Sequence, residues 1–384
     1  MRVQSSKDTT LSMIRNTFLA FASFVFLLAC GSETNTSTVG SSGNPPSRSA
    51  IDLRPPAVGA PGEIYFVIDP EQWDGPLGDE LRRTFSIRVP GLPQPEPMFT
   101  VRHLAPQDMS KTFRVMKNLV YVATLDNNSR SGKYLRRNFT DASIQEIEQD
   151  PTKFQYIKTD EFAIGQKVVH LFGRTEDALL KNIVDHREQL RQYFIGLEHA
   201  RLAEVLFKVR ETGVENRLKQ NHQVTIKVPR GYELAHEEEN FMWVRRRDQM
   251  LDVDRGVFIY HEPYTDETVF TEEGMKKLRD RITTKHVRDV QKPSIVMERQ
   301  TEMFDFSEIN FHGKYAVEIR GLWRLSDISL GGPYVAYAMV DEARGRLIYF
   351  EGYVAAPGTE KRPYMTEMEV ILDTFRVAAE NPGS

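Results

Sequence analysis

The chain has 384 residues, with 50 Lys and Arg against 54 Asp and Glu and a formal net charge of −4. That balance offers no basic face for a nucleic-acid partner, and removing residues 1–29 would take away Arg2, Lys7 and Arg15 but only Asp8. The single cysteine, Cys30, excludes an internal disulfide and any cysteine-based metal site, so burial of the 40% hydrophobic residues must hold the fold.

Arg15 precedes an uncharged apolar run from Thr17 to Ala29. A basic start, a short apolar core and small residues at its end predict a secretory signal over residues 1–29. The run is shorter than the roughly 18 apolar residues of a membrane-spanning helix. Met13 opens a compact leader of its own, MIRNTFLAF. Leu27-Leu28-Ala29-Cys30 resembles the lipobox of bacterial lipoproteins, with Leu28 bulkier than usual at its position. The resemblance implies that Cys30 is diacylated on sulfur, becomes the new N-terminus and is then N-acylated. Several acyl chains, at about 0.8 kcal/mol per buried CH₂, make a firm membrane anchor. Residues 30–61 then read as the lipidated cysteine and a Gly/Ser/Thr/Pro-rich tether, too polar to order itself and able to reach roughly 30 Å.

Order is expected from about Pro61. Ile64–Ile68 predicts a strand, and Trp73–Phe85 a helix with Leu77, Leu81 and Phe85 four residues apart. Pro90–Pro97 carries too many prolines for a helix and reads as an extended connection. Phe99–Leu104, Leu119–Leu125 and Val168–Phe172 predict strands. Thr175 begins a long helical pattern reaching Val209, with Glu176 and Asp177 in its first turn and a bend expected at Gly196. The polar stretch Glu211–His222 marks a module boundary. Beyond it Val224–Val228, Phe241–Arg245, Gly256–Tyr260, Tyr315–Arg320, Tyr334–Val340 and Leu347–Tyr353 predict strands, the last two joined by a hairpin turn at Gly345. Helices are expected near Thr271–Thr284 and Pro363–Phe375. The fold class is α+β: modules at 62–215 and 222–378, each a mainly antiparallel sheet with helices packed on one side.

The nine histidines are scattered, and His236-Glu-Glu-Glu-Asn240 lacks the second histidine of a zinc-protease helix. No phosphate loop, serine-hydrolase elbow or Ser-x-x-Lys motif is present. No metal or other cofactor is therefore assigned. Two stretches are dense in unusual residues. In Gly91–Phe99, a rigid loop offers Gln94, Glu96 and Phe99 to a ligand, or else simply stiffens a crossover between strands. In the second, strand alternation puts Glu318 and Arg320 on one face, near Trp323, Arg324 and the Gly331-Gly332-Pro333 loop, with Glu351 on a later strand expected to join them. That group reads either as a charged cleft or as a self-satisfied ion-pair ladder over a core tryptophan.

The stretches GEIYFVID, WDGPLGDELRRTF, VPGLPQPEPMFTV, NFMWVRRR, YTDETVFT, YAVEIRGLWRL, GGPYVAYAMVD and KRPYMTEMEVILDTF are together similar to the domain of unknown function 4837 family, predicted lipoproteins of Bacteroidota. The resemblance spans residues 62–378 and implies an envelope lipoprotein with no established catalytic residues. Exported lipoproteins of that phylum often carry an acidic cluster after the cysteine; here only Glu33 follows, which favours the periplasmic face of the outer membrane over the cell surface. Three functions are then in competition. The leading one is a tethered, non-enzymatic binding or assembly module with an envelope protein or glycan partner. The second is a hydrolase of cell-wall or glycan material using Glu318 and Glu351 with Arg320. The third is a carrier of an apolar ligand or lipid, which requires a large cavity between sheet and helix.

Overall fold

The computed structural model describes residues 52–288 and 294–378; the expected signal segment and Cys30 lie outside them. The chain from Leu53 onward forms one compact unit containing two large sheets and a two-stranded one. Residues 55–58, expected in the tether, already belong to it: the Ala57 N–H donates to the Ile164 carbonyl, and Val58 exchanges backbone hydrogen bonds with Val115 and Lys117.

The first sheet is built in chain order from β1 (Glu63–Val67), α1 (Pro70–Trp73), α2 (Pro76–Phe85), β2 (Thr100–Leu104), α3 (Lys111–Arg114), β3 (Asn118–Thr124), α4 (Arg130–Arg136), α5 (Asp141–Gln149), β4 (Gln155–Thr159), β5 (Lys167–Gly173), α6 (Glu176–Asp185) and α7 (Arg187–Leu206). Its strand order is β2-β1-β3-β5-β4. Only β4 runs antiparallel to its neighbour, so the expected mainly antiparallel sheet is in fact mainly parallel. The cause is two-sided burial. β3 is buried along its whole length, as a parallel strand covered on both faces must be. One face packs Phe66, Val120 and Leu171 against α2, α6 and α7; the other packs Leu119, Tyr121 and Val168 against Leu135 of α4 and Phe113 of α3.

The helices differ from expectation where a capping or non-helical residue intervenes. Asp69 caps α1 by accepting from the Glu71 and Gln72 N–H groups, and Pro76 begins α2 afresh. Thr175 caps α6 as predicted. The long helical pattern breaks at His186, whose backbone leaves the helical region, while Gly196 lies inside an unbroken α7.

The second sheet comprises α8 (Thr212–His222), β6 (Val224–Thr225), β7 (Glu233–Glu238), β8 (Phe241–Asp248), β9 (Val253–Pro263), α9 (Glu272–His286), β10 (Met297–Phe311), β11 (Lys314–Leu325), β12 (Gly331–Asp341), β13 (Arg346–Ala355), α10 (Arg362–Leu372) and β14 (Arg376–Val377). Seven strands pair antiparallel in the order β10-β11-β12-β13-β9-β8-β7, while β6 and β14 form a separate pair. Gly345 takes φ 59° in the β12–β13 turn, a left-handed conformation that costs glycine nothing. The polar boundary stretch is the helix α8, whose Leu218 and His222 are buried.

Helices cover both faces of this sheet too, rather than one. Met365, Met368, Ile371 and Leu372 of α10 pack with Val335, Tyr337 and Phe350 on one side. Met275, Leu278 and Ile282 of α9 pack with Ala336, Ala338 and Tyr349 on the other. Each such side chain stabilises the fold by about 1.5–3 kcal/mol relative to exposure. Because neighbouring residues of β12 feed different cores, this sheet also is buried on both sides over its centre.

Candidate functional site

The proline-rich loop is a joint between the two sheets. Its ends close on each other, the Val89 N–H donating to the Glu96 carbonyl at 2.9 Å and the Met98 N–H to the Ile87 carbonyl at 2.7 Å. Leu92 enters the core beneath α10. Gly91 has φ 77°, and a Cβ there would sit 3.0 Å from the Arg320 Cβ, so the loop lies directly on β11. The two Glu96 carboxylate oxygens accept the Lys361 and Arg362 backbone N–H groups, each at 2.8 Å. Those are orphan donors of the α10 N-terminus, and a carboxylate there also meets the positive end of the helix dipole. Gln94 accepts from Lys361 Nζ at 3.4 Å, and Arg362 donates back to the Met98 carbonyl at 2.9 Å. Gln94 and Glu96 therefore both engage the start of α10.

Glu318 and Arg320 share a face, as alternation requires, and that face looks toward α10 and α7. Arg320 donates to Glu318 at 2.7 and 3.2 Å and to Glu369 of α10 at 2.6 Å. Tyr337 donates to Glu318 at 3.0 Å, and His199 of α7 stands 3.4 Å from Glu369. Burial pushes the Glu369 carboxyl up, but Arg320 and His199 outweigh it and hold it down to about 2. Burial, reinforced by Glu318, pushes the Tyr337 hydroxyl well above its ordinary value.

Glu351 does not join this group. Glu318 pairs in register with Tyr337, and Tyr337 with Phe350, so these three share one face; Glu351 is the next residue and points to the other. There Arg279 of α9 grips it bidentately at 2.8 and 2.7 Å, Tyr349 donates to it at 2.6 Å, and the guanidinium lies 3.7 Å from the Tyr334 ring centre. Both charged side chains are 0% exposed. Burial pushes the Glu351 carboxyl up against the pull of Arg279. The two glutamates of the hydrolase reading thus sit on opposite sides of a sheet, each neutralised by its own arginine. The partners Arg279, Tyr337, Glu369 and His199 were not identified from the sequence, although Arg279 stands among Met275, Leu278 and Ile282 on the apolar side of a helical pattern.

Trp323 faces α9 and lines a cleft of about 310 Å³ with Trp243 and Tyr353. Arg324 is half-exposed at the neighbouring strand, 3.8 Å from Glu298. A second, more polar cleft of about 410 Å³ lies between the end of β9 and the start of α9, lined among others by Tyr264, Asp266 and Lys277.

Four of the nine histidines lie on or near edge strand β7. Glu237 stands 3.4 Å from His222, the last residue of α8, which lies 3.4 Å from His261; the adjacent Glu238 meets His236 at 2.8 Å and His286, the last residue of α9, at 3.3 Å. Burial lowers His222 and His286, and burial with the Arg346 charge lowers His261 to about 4. Among the described residues no group of three or more His, Cys, Asp and Glu is placed to hold a metal ion, and no helix is long and apolar enough to cross a membrane.

No curated protein matches this chain. Among solved structures, the Saccharomyces cerevisiae Ran-binding protein Mog1p aligns at 11% identity over 41% of this chain and 92% of its own, with a TM-score of 0.27. A STAR-related lipid transfer protein from Xanthomonas axonopodis aligns at 13% identity over 38% of this chain and 94% of its own, with a TM-score of 0.20. Residues 57–207 match a family described as Domain of unknown function (DUF8532). The resemblance read from the sequence over residues 62–378 is thus divided: its first half falls to this separate family. Residues 211–374, carrying the seven-stranded sheet with α9 and α10, match the family described as Domain of unknown function (DUF4837).

Proposed function

We propose that this chain is an envelope lipoprotein, anchored through Cys30 in the outer membrane and facing the periplasm, whose folded unit is a non-enzymatic binding or assembly module. The observation that carries the reading is where the best candidate charges are used. Glu96 caps a helix, Arg320 ties a strand to α10, and Glu351 is locked to Arg279. A glycosidase-like pair needs two carboxylates facing one bond at roughly 5–9 Å; Glu318 and Glu351 face opposite ways. The carrier reading is disfavoured because side chains of both cores fill the space between the seven-stranded sheet and its helices.

The anchor is tested by Cys30→Ser in cells fed radioactive palmitate and then fractionated. Loss of label and of membrane association is expected; equal labelling of the variant overturns the anchor. The module is tested by cross-linking intact cells. One partner recovered in near-stoichiometric yield is expected, and a protein that stays solitary at every cross-linker concentration overturns the binding reading.

A further inference from the structure

We infer that one end of the seven-stranded sheet is a membrane-docking edge, whose turns insert aliphatic side chains into the headgroup region of a phospholipid bilayer. The inference rests on the lipid-anchored reading and adds to it which way the folded unit faces. The β8–β9 and β11–β12 turns leave the sheet at the same end, because Asp248 pairs with Val253, Asp254 with Ala355, Tyr353 with Tyr334 and Gly331 with Arg324. Three strand spacings of about 4.8 Å separate the two turns, roughly 14 Å in all.

Both turns are apolar at their tips: Met250 is 97% exposed, Leu251 58% and Ile328 74%. The backbone holds these side chains out. Asp248 Oδ1 accepts from the Met250 and Leu251 N–H groups, each at 3.1 Å, and Asp327 Oδ1 accepts from the Ser329 N–H at 3.1 Å. Ile328 has φ 65°, a conformation that is an outlier for a β-branched residue. Large aliphatic side chains grouped in solvent on braced turns mark an interaction surface. The opposite end of the same sheet is the internal control. Its turns, Glu239-Asn240, His312-Gly313 and Glu342–Gly345, carry no large aliphatic side chain.

Shape, charge and reach select lipid as the partner. None of Met250, Leu251 and Ile328 lines the cleft between the turns, so they are placed to enter a partner rather than to receive one, and a fluid bilayer accepts them without a matching socket. Each turn has a half-exposed arginine at its foot, Arg247 or Arg324, whose nearest carboxylate stands 3.8 Å away. Such a side chain lays its stem along apolar neighbours and offers its guanidinium to a phosphate. Each turn also has an exposed aspartate, Asp252 or Asp327, so the pattern matches the phosphate and amine of a zwitterionic headgroup. The 22 residues from Gly31 to Asp52 separate Cys30 from the folded unit. A coil of that length reaches roughly 25 Å, which keeps the unit beside the bilayer and lets weak insertion suffice. Docking by this end turns the polar cleft of about 410 Å³, at the far end of β9, away from the lipid.

The chain's single cysteine is the acylated one, so a new cysteine is the sole site for a nitroxide label. The lipoprotein purified from cells is reconstituted into vesicles of phosphatidylethanolamine and phosphatidylcholine. It carries the label at Met250→Cys, at Ile328→Cys or, on an opposite turn, at Glu239→Cys, all exposed positions that leave folding intact. Collision with oxygen against collision with a nickel chelate reads depth. The Met250→Cys and Ile328→Cys labels are expected below the headgroup phosphates, with an oxygen-to-nickel ratio several-fold above that of Glu239→Cys. Adding Met250→Asp and Leu251→Asp is expected to return the Ile328→Cys label to the Glu239→Cys value. Protein that floats with the vesicles while every label stays in water overturns the docking edge and leaves the anchor standing. Protein that does not float with the vesicles overturns both. Equal depth at Glu239→Cys overturns the orientation, and dipolar broadening that survives a large excess of lipid puts a second copy on the tips in place of the bilayer.

Discussion

The two faces of the seven-stranded sheet carry the same chemistry in different settings. Toward α9, Arg279 and Glu351 are 0% exposed and tie one helix to its own sheet. Toward α10, Glu318, Arg320 and Glu369 are 22, 16 and 17% exposed, and His199 brings in a helix from the other half of the chain. A sealed pair has no water to replace a lost partner; a pair at a seam does. The first is thus a matter of folding and the second a matter of how two halves are joined.

The sharpest way to break the comparison is Arg279→Ala. It leaves the Glu351 carboxyl buried without its cation, and a loss of about 3–5 kcal/mol is expected in urea unfolding. Arg279→Met with Glu351→Leu, removing both charges, is expected to recover most of that loss. Arg320→Ala acts at the wetter seam, and about 1.5–3 kcal/mol is expected, reduced further as water reaches Glu318. Third, Glu96→Ala removes two cap hydrogen bonds at about 0.5–2 kcal/mol. Hydrogen exchange is then expected to quicken at the Lys361 and Arg362 amides before anywhere in α9.

The smallest effect is that of pH. His222, His261 and His286 are held neutral by burial, so their folded pKa values lie below the ordinary 6.5. A group depressed in this way contributes fully above about 6.5 and loses that contribution as pH falls toward its folded value, about 4 for His261. For His261 the expected loss between pH 7 and pH 6 is roughly 0.5–1 kcal/mol. His261→Gln should flatten the dependence of the urea midpoint on pH; an unchanged slope would show that other groups govern it.

Legibility in the sequence followed apolar runs. β12 and β13 are nearly continuous apolar stretches and were found within three residues at each end. β7 and β10 were missed because they are the two edges of the sheet and read as charged, ELAHEE and MERQTEMFDFSEINF. Such charge on edges deters unwanted pairing, and it also hides a strand from a pattern search. Parallel pairing of β1, β2, β3 and β5 could not be read from short apolar runs, since these state burial and not direction. Among site residues, the shared face of Glu318 and Arg320 was legible from parity within one strand. The position of Glu351 was not, because parity between strands depends on a register that sequence alone leaves open.

The Glu96 contact to α10 has a further consequence. The border between the two families falls near residue 210, yet the group that finishes the last helix sits at position 96 and its neighbour Leu92 fills the core below. Inheritance and folding therefore divide this polypeptide differently. A fragment beginning at residue 211 would emerge with a frayed closing helix and a hole beneath it, and supplying the missing half as a separate chain should mend both.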